Sequence, residues 1–157
     1  MHPERADDPA SVILLRLEGH QYALPLGCVV EVVRMAALAP VPDAPGFVLG
    51  LLDLRGRVVP VLDLRRRLGL PPVEQGLSTT ICVVEAGGRG FGLVADAVTD
   101  VRPLLGPVEA LEVARDDSPV AGVAHVDGRL VTLLDPGRLA GSAGPVPEEP
   151  ARAGGGR

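Results

Sequence analysis

Few residues of this chain could do chemistry. The candidates are His2, His20 and His125, Cys28 and Cys82, the glycines between Gly87 and Gly92, the run Arg65-Arg66-Arg67, and the serines at 11, 78, 118 and 142. A metal site needs three or four donors gathered together, and these histidines are scattered, with no cysteine or carboxylate at ligand spacing. His20 reads as a solvent-exposed turn residue and His125 as a structural strand residue. A phosphate cradle runs from a strand into a helix N-terminus, whereas Gly87, Gly88, Gly90 and Gly92 lie between two strand-like segments and read as a hairpin turn. No serine has a nucleophile-elbow context. The arginine run could touch phosphate, but at the end of a short helical segment it reads as a solvated face and C-terminal charge.

All 15 basic residues are arginine, so Walker-type phosphate binding, Schiff-base chemistry and a lysine general base are excluded. No metal, no cofactor and no catalytic residue is therefore expected. The net charge of −5 disfavours nucleic acid and anionic lipid. The polar, acidic start MHPERADDPAS has no apolar core of a signal peptide, and no window is long and apolar enough for membrane insertion, which points to a cytoplasmic protein. Cys28 and Cys82 lie in apolar, strand-like stretches and read as two free thiols, with a disulfide left open.

The elements that would position these groups come in two copies. GLLDLRGRVVPVLD from Gly50 recurs as GVAHVDGRLVTLLD from Gly122, with Gly50/Gly122, Gly56/Gly128, Arg57/Arg129, Val59/Val131, Leu62/Leu134 and Asp63/Asp135 identical and 72 positions apart. Upstream, Tyr22, Leu24, Val29 and Val32 answer to Phe91, Leu93, Val98 and Val101 at a spacing of 69. One unit has been duplicated, and its size suits two small barrels rather than a solenoid. Aromatic residues are only 2% of the chain, so the core must be aliphatic.

The pattern is mostly strand. Ser11–Leu17 and Gln21–Leu26 form a hairpin signal, repeated by Thr79–Glu85 and its return. Val48–Leu54 and Arg57–Leu62 form another, and its copy turns at Asp127-Gly128, a pair suited to a type I′ turn. Pro60 cannot donate to a ladder and argues for an edge or a bulge. Each hairpin ends in an aspartate, Asp63 or Asp135, placed to cap a short helical turn that Gly69 or Gly141 stops. The fold class is all-β: two pseudo-repeated five-stranded barrels with short helical turns. Residues 1–10 and 141–157 read as disordered tails around a domain at 11–140, with approximate halves 11–76 and 77–140 between which strands can cross. The aliphatic runs are near-continuous rather than alternating, which fits barrels burying faces against each other and an apolar groove left for a partner.

VLGLLDLRGRVVPVLDLRRRLGL resembles the central stretch of CheW-like domains, with their Leu-Arg-Gly turn and Val-Pro-Val-Asp-Leu-Arg strand. EGHQYALPLGCVVEVVR is similar to the family's first hairpin, Pro42–Pro45 to its Pro-x-x-Pro, and GRGFGLVADAVTDV to the hairpin of its second subdomain. The likeness spans about Val12–Leu139. It implies two barrels of the Src-homology-3 type sharing an aliphatic core. It also implies a non-catalytic cytoplasmic adaptor of chemotaxis that couples chemoreceptor tips to the regulatory domain of the CheA histidine kinase. By the same resemblance Arg55 matches the arginine of the Leu-Arg-Gly turn, Val29 and Glu31 its Val-x-Glu, and Val101 the valine after the second hairpin. These positions line or border the family's receptor-facing groove. From the residues alone Arg55 is a solvated turn residue, and Val29 and Val101 are core or groove. Other readings are an adaptor of a non-flagellar chemosensory pathway, a fragment of a histidine kinase, whose phosphoacceptor and nucleotide domains do not fit here, and a small-ligand or enzyme role in the crevice between barrels.

Overall fold

The structure, a computed structural model, describes residues 10–76, 79–111 and 117–141. The proposed tails at 1–10 and 141–157 lie outside the described residues apart from Ala10 and Gly141. Ten strands and two short helices follow in chain order: β1 Ser11–Leu17, β2 His20–Pro25, a 3₁₀ turn Leu26–Cys28, β3 Val29–Arg34, β4 Val48–Leu54, β5 Arg57–Asp63, α1 Leu64–Arg67, β6 Thr80–Ala86, β7 Arg89–Val94, β8 Ala97–Pro103, β9 Val120–Val126, β10 Arg129–Leu134 and α2 Pro136–Gly141.

Four hairpins carry eight of the ten strands, all but β3 and β8, and each turns on two residues with positive φ. In the β4–β5 turn Arg55 has φ 54° and Gly56 φ 87°; in the β9–β10 turn Asp127 has φ 52° and Gly128 φ 79°. This is the twist that a two-residue hairpin demands, and a non-glycine residue in it carries a backbone cost of about 1–2 kcal/mol. In the first turn the Gly56 N–H donates to Asp53 Oδ1 at 2.9 Å, which offsets part of that cost. His125 stands at the equivalent of Asp53 and is exposed on β9.

The strands assemble into two five-stranded sheets, ordered β8-β1-β2-β10-β9 and β3-β6-β7-β5-β4. Each sheet draws on both copies of the repeat. The β1–β2 hairpin leaves the first copy and joins β8, β9 and β10, while β6–β7 joins β3, β4 and β5. Two parallel pairings make the exchange, and they are the same pairing twice: Val61 opposite Gly92 and Leu133 opposite Ala23. Pro60 is buried and lies just before the stretch of β5 that β7 reaches, which begins at Val61. Its missing N–H is tolerated there, although β5 is an inner strand.

A two-way backbone bridge closes each sheet into a barrel: Ala39 with Leu51 at 2.9 and 2.8 Å, and Glu109 with Val123 at 2.9 Å both ways. The crossing segment passes directly over a glycine. A Cβ on Gly50 would stand 2.7 Å from the Ala39 carbonyl oxygen, and one on Gly122 the same 2.7 Å from that of Glu109. That contact explains the identity of the Gly50/Gly122 pair.

Three apolar clusters follow. Val12, Leu14, Ala23, Ala124, Val126, Val131 and Leu133 fill one barrel. Leu52, Val59, Val61, Ile81, Val83 and Val94 fill the other. The third and largest lies between the barrels and includes Leu15, Leu17, Leu62, Leu64, Cys82, Phe91, Leu93, Leu134 and Leu139. β1, β2, β6 and β7 contribute to a barrel core from one face and to the shared core from the other. This accounts for their near-continuous aliphatic sequence.

Both aspartate caps form. Asp63 accepts from the Arg65 N–H at 3.1 Å, and Asp135 from the Gly137 N–H at 2.9 Å. The arginine run corrects the sequence reading. Arg65 is buried and ion-paired, and Arg67 reaches α2, donating to the Leu139 and Arg138 carbonyls at 3.0 and 2.8 Å while lying 5.2 Å from the Phe47 ring centroid. Only Arg66 has the expected exposure. Arg65 and Arg67 face the junction of the two barrels, so their charges are spent on contacts within the molecule.

Candidate functional site

β3 and β8 each lie at one end of their sheet, with a single hydrogen-bonded neighbour, β6 for β3 and β1 for β8; the other end strands, β4 and β9, are each met by a bridge from a loop. Both carry the same bulge. Val29 faces Val84 and Glu31 faces Val83, so Val30 is extra; Val98 faces Leu15 and Asp100 faces Leu14, so Thr99 is extra. A bulge twists an edge strand away from further pairing and leaves it as a finished rim.

The register places the apolar residues of these edges. Val29 lies opposite Val84 and Val32 opposite Cys82; Val98 lies opposite Leu15 and Val101 opposite Ile13. All four opposing residues belong to the shared core. Val29 and Val98 pack against that core, whereas Val32 and Val101 are each 45% exposed on the same faces. β8 also packs against β6, which brings the two edges toward one another. The shared core therefore reaches solvent as an apolar strip between β3 and β8, with Val30 and Leu26 exposed alongside it.

Glu31 points to the other face of β3, because its partner Val83 belongs to a barrel interior. There Arg55 reaches back from the β4–β5 turn and donates from Nη2 to Glu31 Oε2. The Arg55 side chain is 70% exposed and that of Glu31 28%, so the pair is a surface ion pair worth about 0–1 kcal/mol. It sets the position of the turn and leaves most of the guanidinium in solvent.

Of the four residues marked from the sequence, Arg55 and Glu31 meet, Val29 shares the strand of Glu31 but lies on its opposite face, and Val101 comes from the other sheet. Val32 completes the strip and was missed, although the repeat pairs it with Val101. In the second copy Asp127 Oδ2 accepts from Arg102 Nε at 2.8 Å, and Arg102 also lies 3.3 Å from Asp100.

Nothing in the arrangement resembles a reaction centre. Among the described residues no group of three or more His, Cys, Asp or Glu could hold a metal ion. The two cysteines are free; burial pushes the Cys82 thiol up to about 11 and raises that of Cys28 as well, so both stay protonated at neutral pH. Among the described residues no helix is long and apolar enough to cross a membrane.

The model of the CheW-like domain matches residues 11–144. The chain belongs to the CheW-like domain family. It is 29% identical to the chemotaxis protein CheW of Rhizobium meliloti over 128 residues, covering 79% of this chain and 83% of that protein. It is 31% identical to CheW of Helicobacter pylori over 119 residues, covering 73% and 71%. The solved structure of the scaffolding protein CheW from Thermoanaerobacter tengcongensis superimposes with a TM-score of 0.74 at 28% identity, covering 85% of this chain and 89% of that one. The CheW-like fold with its two Src-homology-3-type barrels is thus this chain's fold, and its role is that of a non-catalytic adaptor in chemotaxis.

Proposed function

We propose that this adaptor couples the cytoplasmic tip of a chemoreceptor helical hairpin to the regulatory domain of a CheA-type histidine kinase, in the cytoplasm beneath receptor arrays. The supporting observation is the apolar strip between β3 and β8. Two half-exposed valines from different barrels, Val32 and Val101, flank the deeper Val29 and Val98. A helix presenting an apolar stripe suits such a strip. Arg55 and Glu31 border it on the first barrel, where the free donors of the guanidinium can grip a carboxylate or backbone carbonyls of the incoming helix. Each contact is weak alone, and an array of many copies adds avidity.

Co-purification with the kinase regulatory domain, with and without a soluble receptor tip, tests the assignment. Arg55→Ala is expected to weaken receptor coupling while thermal melting stays near that of the parent chain. Val101→Asp is expected to abolish receptor binding and leave the fold intact, whereas Val29→Asp, set against the shared core, should also lose stability. Receptor binding unchanged in both Arg55→Ala and Val101→Asp would overturn this site.

A further inference from the structure

The chain crosses between the two sheets at two equivalent places beside the strip, and they are built differently. After β2 it crosses through the 3₁₀ turn Leu26–Cys28 into β3; after β7 it crosses through Ala95 and Asp96 into β8. The second crossing is clamped. Asp96 accepts from Arg65 Nε and Nη2, both at 2.7 Å, and from the Glu18 N–H at 3.0 Å, and its own N–H donates to the Arg16 carbonyl at 3.0 Å. Arg65 Nη1 donates further to Glu18 Oε2 at 2.6 Å and to the Pro71 carbonyl at 2.9 Å. One buried guanidinium thus ties α1, the β1–β2 turn and the crossing together. A two-pronged charge-assisted contact of this kind is the strong form of the hydrogen bond. Hydrogen bonding to Arg65 also holds the Asp96 carboxyl below its ordinary value.

The repeat spacing shows what occupies the same three positions at the first crossing. Gly27 stands for Asp96, Gly87 for Glu18 and Gly137 for Arg65. All three charges are absent, and the backbone there is at its freest. The bonds at this crossing are local: Cys28 Sγ donates to the Pro25 carbonyl at 3.1 Å, and the Val29 N–H to the Leu26 carbonyl. No residue of the 3₁₀ turn is buried.

We infer that β3 is the compliant wall of the apolar strip, hinged at Leu26–Cys28, and that β8 is the wall held fixed by Arg65, Asp96 and Glu18. Local opening draws on the least secured parts of a fold. A partner entering the strip is accommodated by displacement of β3 against a stationary β8. The inequality is a property of the free chain and holds whether or not the partner is a receptor.

Residue-resolved hydrogen exchange on the full chain tests it, because the duplicated register supplies matched amides: Val29 with Val98, Glu31 with Asp100, Val32 with Val101. Corrected for intrinsic rates, β3 amides are expected to be about tenfold less protected than their β8 counterparts. Arg65→Ala should bring β8 down to the level of β3. Should that variant fail to fold, the reverse experiment decides: Gly27→Asp, Gly87→Glu and Gly137→Arg together rebuild the clamp at the first crossing. The backbone admits a side chain at each position, since a Cβ at Gly27 or Gly87 meets nothing within 4 Å and one at Gly137 meets only Asp135 Oδ1 at 3.4 Å. Gly87 has φ 62°, close to the 52° that Glu18 already adopts. The triple variant should raise β3 protection toward that of β8. Matched protection within about twofold in the parent chain, or a folded triple variant with β3 unchanged, overturns the inference.

Discussion

In both barrels a hairpin tip reaches an edge strand, but with opposite charges and at different positions, since the repeat matches Glu31 with Asp100 and Arg102 with Val33. In the first, an arginine at the hairpin tip, Arg55, bonds an acid on the edge strand, Glu31. In the second, an acid at the tip, Asp127, bonds an arginine on the edge strand, Arg102. The backbone is the same in both, with φ of 54° at Arg55 and 52° at Asp127, and the bulged edge recurs residue for residue. Both tips are mostly exposed. Duplication has preserved the architecture that needs packing, while the charge of the tip and the edge-strand position it bonds have both changed, where the contribution to stability is small. A partner reading charge can therefore tell one end of the molecule from the other, although the two ends share one framework.

The largest difference expected between the two halves lies in the core. Phe91 is buried in the shared core, while its counterpart Tyr22 is only partly buried against it. Phe91→Ala should cost about 3–5 kcal/mol in urea unfolding and Tyr22→Ala distinctly less; equal losses would mean the two halves carry equal weight. Gly50→Ala and Gly122→Ala come next, at about 1–3 kcal/mol each, because the added methyl meets a crossing backbone that cannot withdraw. Gly50→Ala should lose the more of the two, because its φ of 155° adds backbone strain to the clash; a larger loss at Gly122 would show that the two barrel closures are not equivalent.

Acid sensitivity should arise at one crossing only. The Asp96 carboxyl is held low in the folded chain, chiefly by its hydrogen bonds to Arg65, against about 3.9 when unfolded. A depressed folded value gives stability that is complete above the unfolded value and is lost as pH falls through the folded one. Urea midpoints measured from about pH 6 down to about pH 2 should fall in the parent and fall less steeply in Arg65→Ala. An identical slope in the two proteins would remove Asp96 from the account. The smallest stability effect belongs to the tips. Glu31→Arg combined with Arg55→Asp, which reverses the polarity of the first barrel's tip pair, should change stability by less than about 1 kcal/mol. Binding to the receptor tip should nevertheless be lost, and a double variant that still binds would show that the polarity of the tip carries no recognition.

Much of the fold was readable because local signals agree with the global arrangement. Strand starts at Ser11, Val48 and Arg57, the aspartate caps at Asp63 and Asp135, and the Asp127-Gly128 turn each follow from a few neighbouring residues. What was not readable depends on distant partners. An arginine in the first turn of α1 has the same local sequence whether it faces water or the fold, and the partners that bury Arg65 are 31 and 47 positions away. The exchange of hairpins was hidden for a related reason. Both copies carry the same apolar pattern, so exchanged and unexchanged pairing would bury the same residues. At the site, the resemblance marked Arg55, Glu31, Val29 and Val101, but their division between two faces and two sheets follows from the bulge register, and Val32 was legible only as the repeat partner of Val101.

The exchanged hairpin also sets a timetable for a chain made from its N-terminus. The sheet of β3 to β7 has all its strands once Val94 has been synthesised. The other sheet owns β1 and β2, which precede all of those strands, yet β2 must wait for β10, ending at Leu134, before its parallel pairing can form. Pairings between such distant segments form late. During translation the β1–β2 hairpin is therefore an unfinished edge with an apolar face until β10 supplies its parallel partner.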